Sequence, residues 1–476
     1  MSTTHCGYIV KVKELRPHRN ADKLQIAKFF DCETCVGLDV KLGDMGIYFP
    51  SGLQLSEEFC AQNNLVRRKD ETGRNVGGYL EAGKRNIKTI RLRGEPSDGI
   101  FMALDSVAYT GVDMSLLTEG TVIHELNGHE ICDKYIPKVK AHNEFNSPNR
   151  TRKNKPKNIP IAPLFNEHAD TEQLAYNLNA FKPGDEIEIT LKMHGTSQRT
   201  GYLPVFKGMK RTFWDKLFRR PGKPIYDWGY VTGTRRTVLD NFDGGFYGSN
   251  EFREPHAKFF EGKLHKGEEV FYEVVGFTTS GAPIMGSVSN KKLNDKEFER
   301  QYGPTTVFSY GCEPTGQREK FYRDEISIFS IPEPVPQSDF YVYRMTMTNE
   351  DGNVVEYTPD YMRYRCEQMG CKTVPVFEQF RIPDSNDRNI LYLNGEGVID
   401  YVTKTPGEWV MEAAETYYDG PDPIGKTHVR EGVVVRIVNR PSFTAYKHKN
   451  FAFKCLSGII TEEATDVTDA DIASEM

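Results

Sequence analysis

The amino-acid sequence predicts an α+β protein in which a small all-β barrel precedes a larger domain organised around strands that end in charged residues. Three observations carry that prediction. Residues 7 to about 110 hold short strand-like runs separated by turn residues, as a small barrel does. A polar, basic stretch at 149–157 interrupts the chain as a linker would. Beyond residue 180, β-branched runs close repeatedly on Lys, Arg or Glu. At 476 residues there is room for two or three domains with real cores. The expected division is a module at 1–110, a connecting segment at 111–160, a main domain at 161–460 and an acidic tail at 461–476.

In the first module, strands are expected at 8–12, 25–29, 46–50, 87–92 and 99–103. Between the first two, His18-Arg19-Asn20-Ala21-Asp22-Lys23-Leu24 resembles the H-x-N-A-D-K-L turn of OB-fold tRNA-binding modules. The resemblance implies an OB-fold-like nucleic-acid-binding module. Asn20 and Asp22 suit an RNA contact and equally the capping of a turn. Arg85, Lys88, Arg91 and Arg93 either track phosphates or form an ordinary solvated face.

Composition narrows the functional classes. A net charge of −6 excludes bulk attraction to nucleic acid, so any such binding has to come from local basic clusters. Met1 to Cys6 hold no apolar run of the signal-peptide kind, and no stretch approaches 18 uninterrupted apolar residues, so a cytoplasmic protein without a membrane span is expected. Nine cysteines, an odd number in a long chain, fit reduced thiols. The C-x-x-C of Cys32 and Cys35 has no second pair in register, since Cys366 and Cys371 are spaced differently, and metal–thiolate chemistry is not expected.

The main domain is organised around Leu191-Lys192-Met193-His194-Gly195-Thr196-Ser197, entered from the alternating run at 186–190. This places a lysine at a strand mouth, with Gly195 letting the chain turn beside it. A solvated lysine, with a pKa of about 10.4, is a poor nucleophile. Desolvation or a neighbouring cation frees its amine to attack phosphorus.

Four further stretches give that lysine a purpose. Residues 231–237 bring Arg235 and Arg236 to a strand-like end, where a planar guanidinium suits a phosphate or a ribose. Residues 270–276 set Glu273 in an apolar strand, where ribose hydroxyls or a metal would satisfy its charge. Residues 339–345 form an aromatic run able to lay a ring against a purine. Finally, Glu431 opens the run 432–436 as a Mg²⁺-binding carboxylate does, and Lys447 and Lys449, two apart on a strand, share one face. Two such lysines repel unless an anion lies between them.

K-x-H-G-T-S, the arginine pair with its threonine, the glutamate strand, D-F-Y-V-Y, E-G-V-V and K-x-K-N, in this order over about residues 180–455, resemble the covalent nucleotidyltransferases and, within them, the ATP-dependent RNA ligases. The module in front and the run R-E-G-V-V-V-R resemble the Deinococcus-type members. The resemblance implies an adenylyltransferase domain built on antiparallel sheets with flanking helices. It implies ATP and Mg²⁺ (or Mn²⁺) as cofactors, RNA with 5′-phosphate and 3′-OH ends from a nicked or broken duplex or tRNA as partner, and a role in RNA repair. Lys192 would be the nucleophile that becomes AMP-linked, with His194, Gly195 and Arg236 in the nucleotide site. Glu273 would contact ribose or metal, Tyr343 would stack on adenine, Glu431 would hold the metal, and Lys447 with Lys449 would grip the α-phosphate.

The chain departs from the pattern in places. His194 stands where many relatives have Asp, which favours RNA over DNA. Arg344 replaces the acid that usually follows the stacking aromatic, so Phe340 and Tyr341 remain rivals to Tyr343. Two stretches, 207–223 and about 380–425, are long for the family. The first holds seven Lys/Arg and one Asp together with Phe213, Trp214 and Phe218. It reads either as a strand-binding element or as an amphipathic helix with Trp214, Leu217 and Phe218 turned inward. The rival functions are an mRNA-capping or DNA-ligase nucleotidyltransferase and a non-catalytic RNA- or tRNA-binding protein. The former usually carry an OB domain after the paired lysines, where only 450–476 remain; the latter leaves Glu273, Glu431 and the lysine pair without a purpose.

Overall fold

A computed structural model describes residues 5–73, 75–135, 159–168, 171–218, 222–239, 241–242, 250–323, 328–383, 389–393 and 399–463. The basic stretch 149–157 and most of the acidic tail, 464–476, lie outside the described residues.

Strands form near all five positions expected in the N-terminal region, at Gly7–Lys11, Leu24–Phe29, Met45–Phe49, Thr89–Leu92 and Ile100–Ala103. Among the described residues they do not join into one closed barrel. Ile100–Ala103, Met45–Phe49, Gly7–Lys11 and Val122–Ile123 make a four-stranded antiparallel sheet, while Leu15–Pro17, Leu24–Phe29 and Cys32–Gly37 make a separate three-stranded one. Gly7–Lys11 is buried on both faces: Ile9 enters a core with Ile47, Phe49 and Phe59, and Tyr8 and Val10 enter another with Phe29 and Tyr48. The pairing also reaches beyond residue 110, because Cys132–Lys134 returns to Leu53–Leu55. Cys32 and Cys35 sit in one strand, and all nine cysteines are free.

The main region is built on two five-stranded sheets. The first runs Glu172–Gln173, Thr444–Lys449, Gly432–Ile437, Glu186–Lys192, Val376–Arg381 and is antiparallel except at its Glu172–Gln173 edge. The second runs Lys223–Gly233, Thr196–Lys210, Glu268–Gly276, Ser338–Thr348, Val354–Glu356, all antiparallel. Chain order explains how they meet. Strand Glu186–Lys192 of the first sheet is followed directly by Thr196–Lys210 of the second, and the chain later returns to the first with Val376–Arg381, Gly432–Ile437 and Thr444–Lys449. Leu191, Met193, Val275, Tyr341, Val374 and Phe453 fill the core between them.

Two helices cover the outer faces. Pro359–Met369 starts on an N-cap at Thr358, ends at Gly370 in the left-handed region (φ 74°), and sends Met362, Cys366 and Met369 under the second sheet. Pro406–Tyr417 is opened by a capping box between Thr405 and Glu408 and packs Val410 and Ala414 beneath the first. A third helix, Phe451–Glu463, follows strand Thr444–Lys449 and ties the main region to the N-terminal one through Lys454, whose ammonium lies 2.8 Å from Asp98. His448 approaches Asp31 at 3.3 Å and Arg91 pairs with Asp295 at 2.8 Å across the same boundary. No helix among the described residues is long and apolar enough to cross a membrane.

Candidate active site

Three neighbouring strands of the first sheet bring three charged groups to one point. Lys192, Gly432 and Lys449 are aligned in register, and Glu431 immediately precedes Gly432. A side chain at 432 is excluded, since a Cβ there would lie 2.0 Å from the His448 carbonyl oxygen and 2.8 Å from the Lys449 Cα, and its φ is 145°. Glycine therefore lets the two lysine strands close around the carboxylate. Lys192 Nζ stands 2.8 Å and Lys449 Nζ 3.0 Å from the same oxygen, Oε1 of Glu431. Asn450 fixes the far side: its N–H donates to the Glu431 carbonyl at 2.9 Å, and its side-chain oxygen caps the helix Phe451–Glu463 by accepting from Phe453 N at 3.1 Å.

The electrostatics follow from burial. Glu431 is 2% exposed. Burial alone would push its carboxyl up, but the Lys192 and Lys449 charges prevail and hold it well below the usual carboxylate range. Lys449 is pushed down by burial, with Glu431 opposing and the like charge of Lys192 adding to the shift. His194 is likewise lowered by burial, against the pull of Glu431, and its ring meets Phe308 and Phe453 in edge contacts. Its Nδ1 lies 3.5 Å from Oε2 of Glu431, long for a hydrogen bond, and that buried oxygen has no hydrogen-bond partner among the described residues.

These groups open onto a cavity of about 300 Å³ between the two sheets. Lys192, His194, Gly195, Glu273, Tyr343, Glu431 and Lys449 all line it. Gly195 is required by close approach, because a Cβ would lie 2.5 Å from the Val274 carbonyl oxygen and 2.8 Å from Glu273 Cγ. Of the three aromatic rivals only Tyr343 faces the cavity, its hydroxyl 3.1 Å from Ser197 Oγ. Tyr341 is in the intersheet core and Phe340 packs on Phe260 and Tyr272. Arg344 points away into a forked pair with Glu356 at 2.9 to 3.0 Å.

Two expected residues are placed differently. The cavity is lined by Arg235, and Arg236 is not among its lining residues. Lys447 also stands outside the lining, beside Val434, which does line it. Sequence reasoning missed His168, Glu188 and Arg363 on the walls, where Arg363 and Glu188 pair at 2.6 Å. It also missed two buried arginines behind the walls. Arg253 is fully buried and donates to the Ser197 carbonyl at 3.0 Å and the Thr196 hydroxyl at 2.5 Å, bracing the turn after Lys192. Arg199, beside buried Glu269, donates to the Thr234 carbonyl at 2.8 Å and so fixes the backbone next to Arg235. No sequence motif marks either of these residues.

The donor set suits a phosphorylated anion together with a hard cation. Two lysines share one carboxylate, which leaves positive charge in excess, while Oε2 of Glu431 is a hard oxygen donor without a hydrogen-bond partner among the described residues. No group of three or more His, Cys, Asp or Glu that could hold a metal is found among the described residues. A cation here would take one or two carboxylates and draw its remaining oxygens from water and phosphate, the preference of Mg²⁺.

No protein-family model matches the sequence, and no curated protein does. The fold does match solved structures. Two mutant forms of a Naegleria gruberi RNA ligase, each with ATP and Mn, align at a TM-score of 0.50 and 15% identity. The alignments cover 94% of this chain and 98% and 97% of those chains. At that identity the likeness establishes a shared fold over nearly the whole length of both proteins.

Proposed function

We propose that the protein is an ATP-dependent RNA ligase that seals 3′-OH and 5′-phosphate ends through a lysyl-AMP intermediate. The observation that carries this reading is the pair of ammonium groups, Lys192 and Lys449, held on one oxygen of buried Glu431 at the mouth of a nucleotide-sized cavity. The fold shared with an RNA ligase that binds ATP and Mn supports it.

In this reading Lys192 Nζ attacks the α-phosphorus of ATP, a P–N bond forms, and pyrophosphate leaves. Glu431 and Glu273 would hold Mg²⁺ or Mn²⁺, which supplies charge stabilisation at the α-phosphate and, by repulsion, favours the neutral amine of Lys192. Lys449 offsets the charge that grows on the phosphate oxygens, and Lys447, outside the cavity lining, adds only to the field around it. Tyr343 and the apolar wall of Met193, Met285 and Val374 receive the base. Arg235 or Arg236 binds ribose or phosphate. The AMP then passes to an RNA 5′-phosphate, and a 3′-hydroxyl attacks that activated end and expels AMP. The N-terminal region, taken as an OB-type nucleic-acid-binding module, places the RNA. This assignment makes the protein a cytoplasmic enzyme of RNA repair acting on nicked or broken duplex or tRNA.

The test is label transfer from ATP carrying a labelled α-phosphate, with Mg²⁺, on a denaturing gel. Label should appear on the intact chain and disappear in Lys192→Ala. Label from GTP instead would move the assignment to capping. No label with either nucleotide, from folded protein freed of pre-bound AMP, would falsify the ligase reading.

A further inference from the structure

The two strands that leave the cavity, Thr196–Lys210 and Lys223–Gly233, continue well past the sheet that holds them. Fifteen residues of strand at roughly 3.3 Å each carry the ribbon about 45 Å from the Lys192 turn. Its cross-strand pairs place Tyr202 opposite Tyr230, Pro204 opposite Trp228 and Phe206 opposite Tyr226. Since alternate residues share a face, these form one aromatic ladder, and Asp227 lies on the other face. All five rings are part-exposed, Tyr202 and Tyr230 at the inner end also packing on the core under the second sheet. Tyr202 stacks on Tyr230 with centroids 4.7 Å apart, and Lys266 sits over Trp228 at 5.3 Å.

At the tip is the helix Phe213–Leu217, and it does not turn its apolar residues inward. Phe213, Trp214, Leu217 and Phe218 are 73%, 63%, 59% and 60% exposed. The Trp214 and Phe218 rings lie nearly parallel, 15° apart with centroids at 6.1 Å, and Phe213 meets Trp214 edge-on. Lys210, Arg211 and Lys223, all exposed, adjoin the tip along the chain, while the Lys207 ammonium reaches back to Gly229. A chain with a net charge of −6 thus concentrates cations where it also exposes rings.

We infer that this ribbon and its tip are a track for an unpaired RNA strand, with successive bases stacked on the aromatic ladder and phosphates met by the flanking lysines and arginines. The inference rests on the ligase reading only for the identity of the RNA as substrate. Two features select this occupant. The excess cationic charge calls for a polyanion. Flat, part-exposed rings at strand spacing accept any base without reading its edge. The ribbon springs from Thr196, one residue from Gly195 on the cavity wall, with its ladder on the face of the second sheet opposite Ser197 and Glu273.

The experiment uses the full chain without ATP and a fluorescein-labelled single-stranded RNA 20-mer lacking a 5′-phosphate, so that binding is read apart from chemistry. Its affinity by anisotropy is compared with that for a fully paired RNA duplex. The variants are Trp214→Ala with Phe218→Ala, and Lys210→Glu with Arg211→Glu, all at exposed positions; thermal melts check that each stays folded. Single-strand affinity should fall about tenfold or more in both. The charge variant should also show a shallower salt dependence. Lys192 labelling from ATP should stay within about twofold. Unchanged single-strand affinity in both variants overturns the inference. So does an equal loss for duplex and single strand in the ring variant, which would leave no stacking. If the variants instead lose binding to phosphatidylserine-containing vesicles while RNA binding persists, the tip is a membrane contact. Lost RNA binding in the variants, with no AMP label on the wild type, would keep the track and remove the ligase reading.

Discussion

Two buried charge clusters lie five residues apart on the same segment, and they push a lysine in opposite directions. At Lys449, two ammonium groups share one carboxylate, Glu431, and burial lowers the lysine. At Lys454, one ammonium serves two carboxylates. It contacts Asp98 at 2.8 Å and feels Asp31 nearby, and although burial opposes it these charges raise the lysine well above its ordinary value. The second cluster is closed. Asp98 also accepts from Thr89 Oγ1 at 2.7 Å, and Asp31 faces His448. The first is open, with surplus positive charge and an oxygen that has no hydrogen-bond partner among the described residues. The difference separates an anion-accepting site from a structural lock: what matters is the sign of the imbalance, since a buried lysine beside a carboxylate is common to both.

The largest expected effect tests the open cluster. Glu431→Gln keeps the shape of the side chain but removes the charge shared by the lysines and the hard donor for a cation. The rate of Lys192 labelling from ATP should fall about 10²- to 10³-fold. A rate within about threefold of the wild type would make Glu431 a passive counter-ion and erase the contrast.

The next effect is on stability. Asp98→Asn leaves Lys454 short of a buried partner and should cost about 3 kcal/mol by urea unfolding at neutral pH, with Lys192 labelling of the folded protein unchanged. The pH dependence has a defined sign. Burial would raise the Asp98 carboxyl, but Lys454 and the hydroxyl donors hold it below the usual range. Its contribution is therefore present above the unfolded carboxylate value of about 3.9 and is lost as pH falls through the folded one. The wild type should lose stability faster than Asp98→Asn below about pH 4. If Asp98→Asn slowed labelling as severely as Glu431→Gln, the two clusters would be one coupled unit.

The same contrast explains what the sequence made legible. Lys192, His194, Gly195, Glu273, Tyr343, Glu431 and Lys449 were all singled out, and all line one cavity, because each sits at a strand end or in a β-branched run where period-two spacing fixes its face. The closed cluster was invisible. Asp31, Asp98 and Lys454 occupy unremarkable polar positions, and only the docking of the helix Phe451–Glu463 on the N-terminal strands brings them together. Arg199 and Arg253 escaped for the same reason, since an isolated arginine in a sequence reads as solvated. In the N-terminal region the strands were legible, but not their sheet order, because strands buried on both faces lack the alternation that would tell one side from the other. At 207–223 composition left two readings open, and the exposure of Phe213, Trp214, Leu217 and Phe218 removes the inward-turned helix.

The smallest effect concerns the two adjacent arginines, where sequence and structure favour different residues. Arg236 matches the arginine-threonine spacing of the ligases, while Arg235 lines the cavity. The backbone there is held from behind. Arg199 donates to the Thr234 carbonyl, His168 N donates to the Arg235 carbonyl at 3.3 Å, and Arg235 Nε donates to the His168 carbonyl at 3.5 Å. Buried Glu269, pushed up to about 7 by desolvation against the pull of Arg199, anchors Arg199 in turn. A turn fixed this firmly does not readily exchange one arginine for its neighbour. A charged hydrogen bond to phosphate or ribose contributes about 1.5–3 kcal/mol, so Arg235→Ala should raise the ATP concentration for half-maximal labelling about tenfold or more. Arg236→Ala should change it by less than about threefold. The reverse result would mean that the turn rearranges when nucleotide binds, and that Arg199, Glu269 and His168 hold a resting conformation.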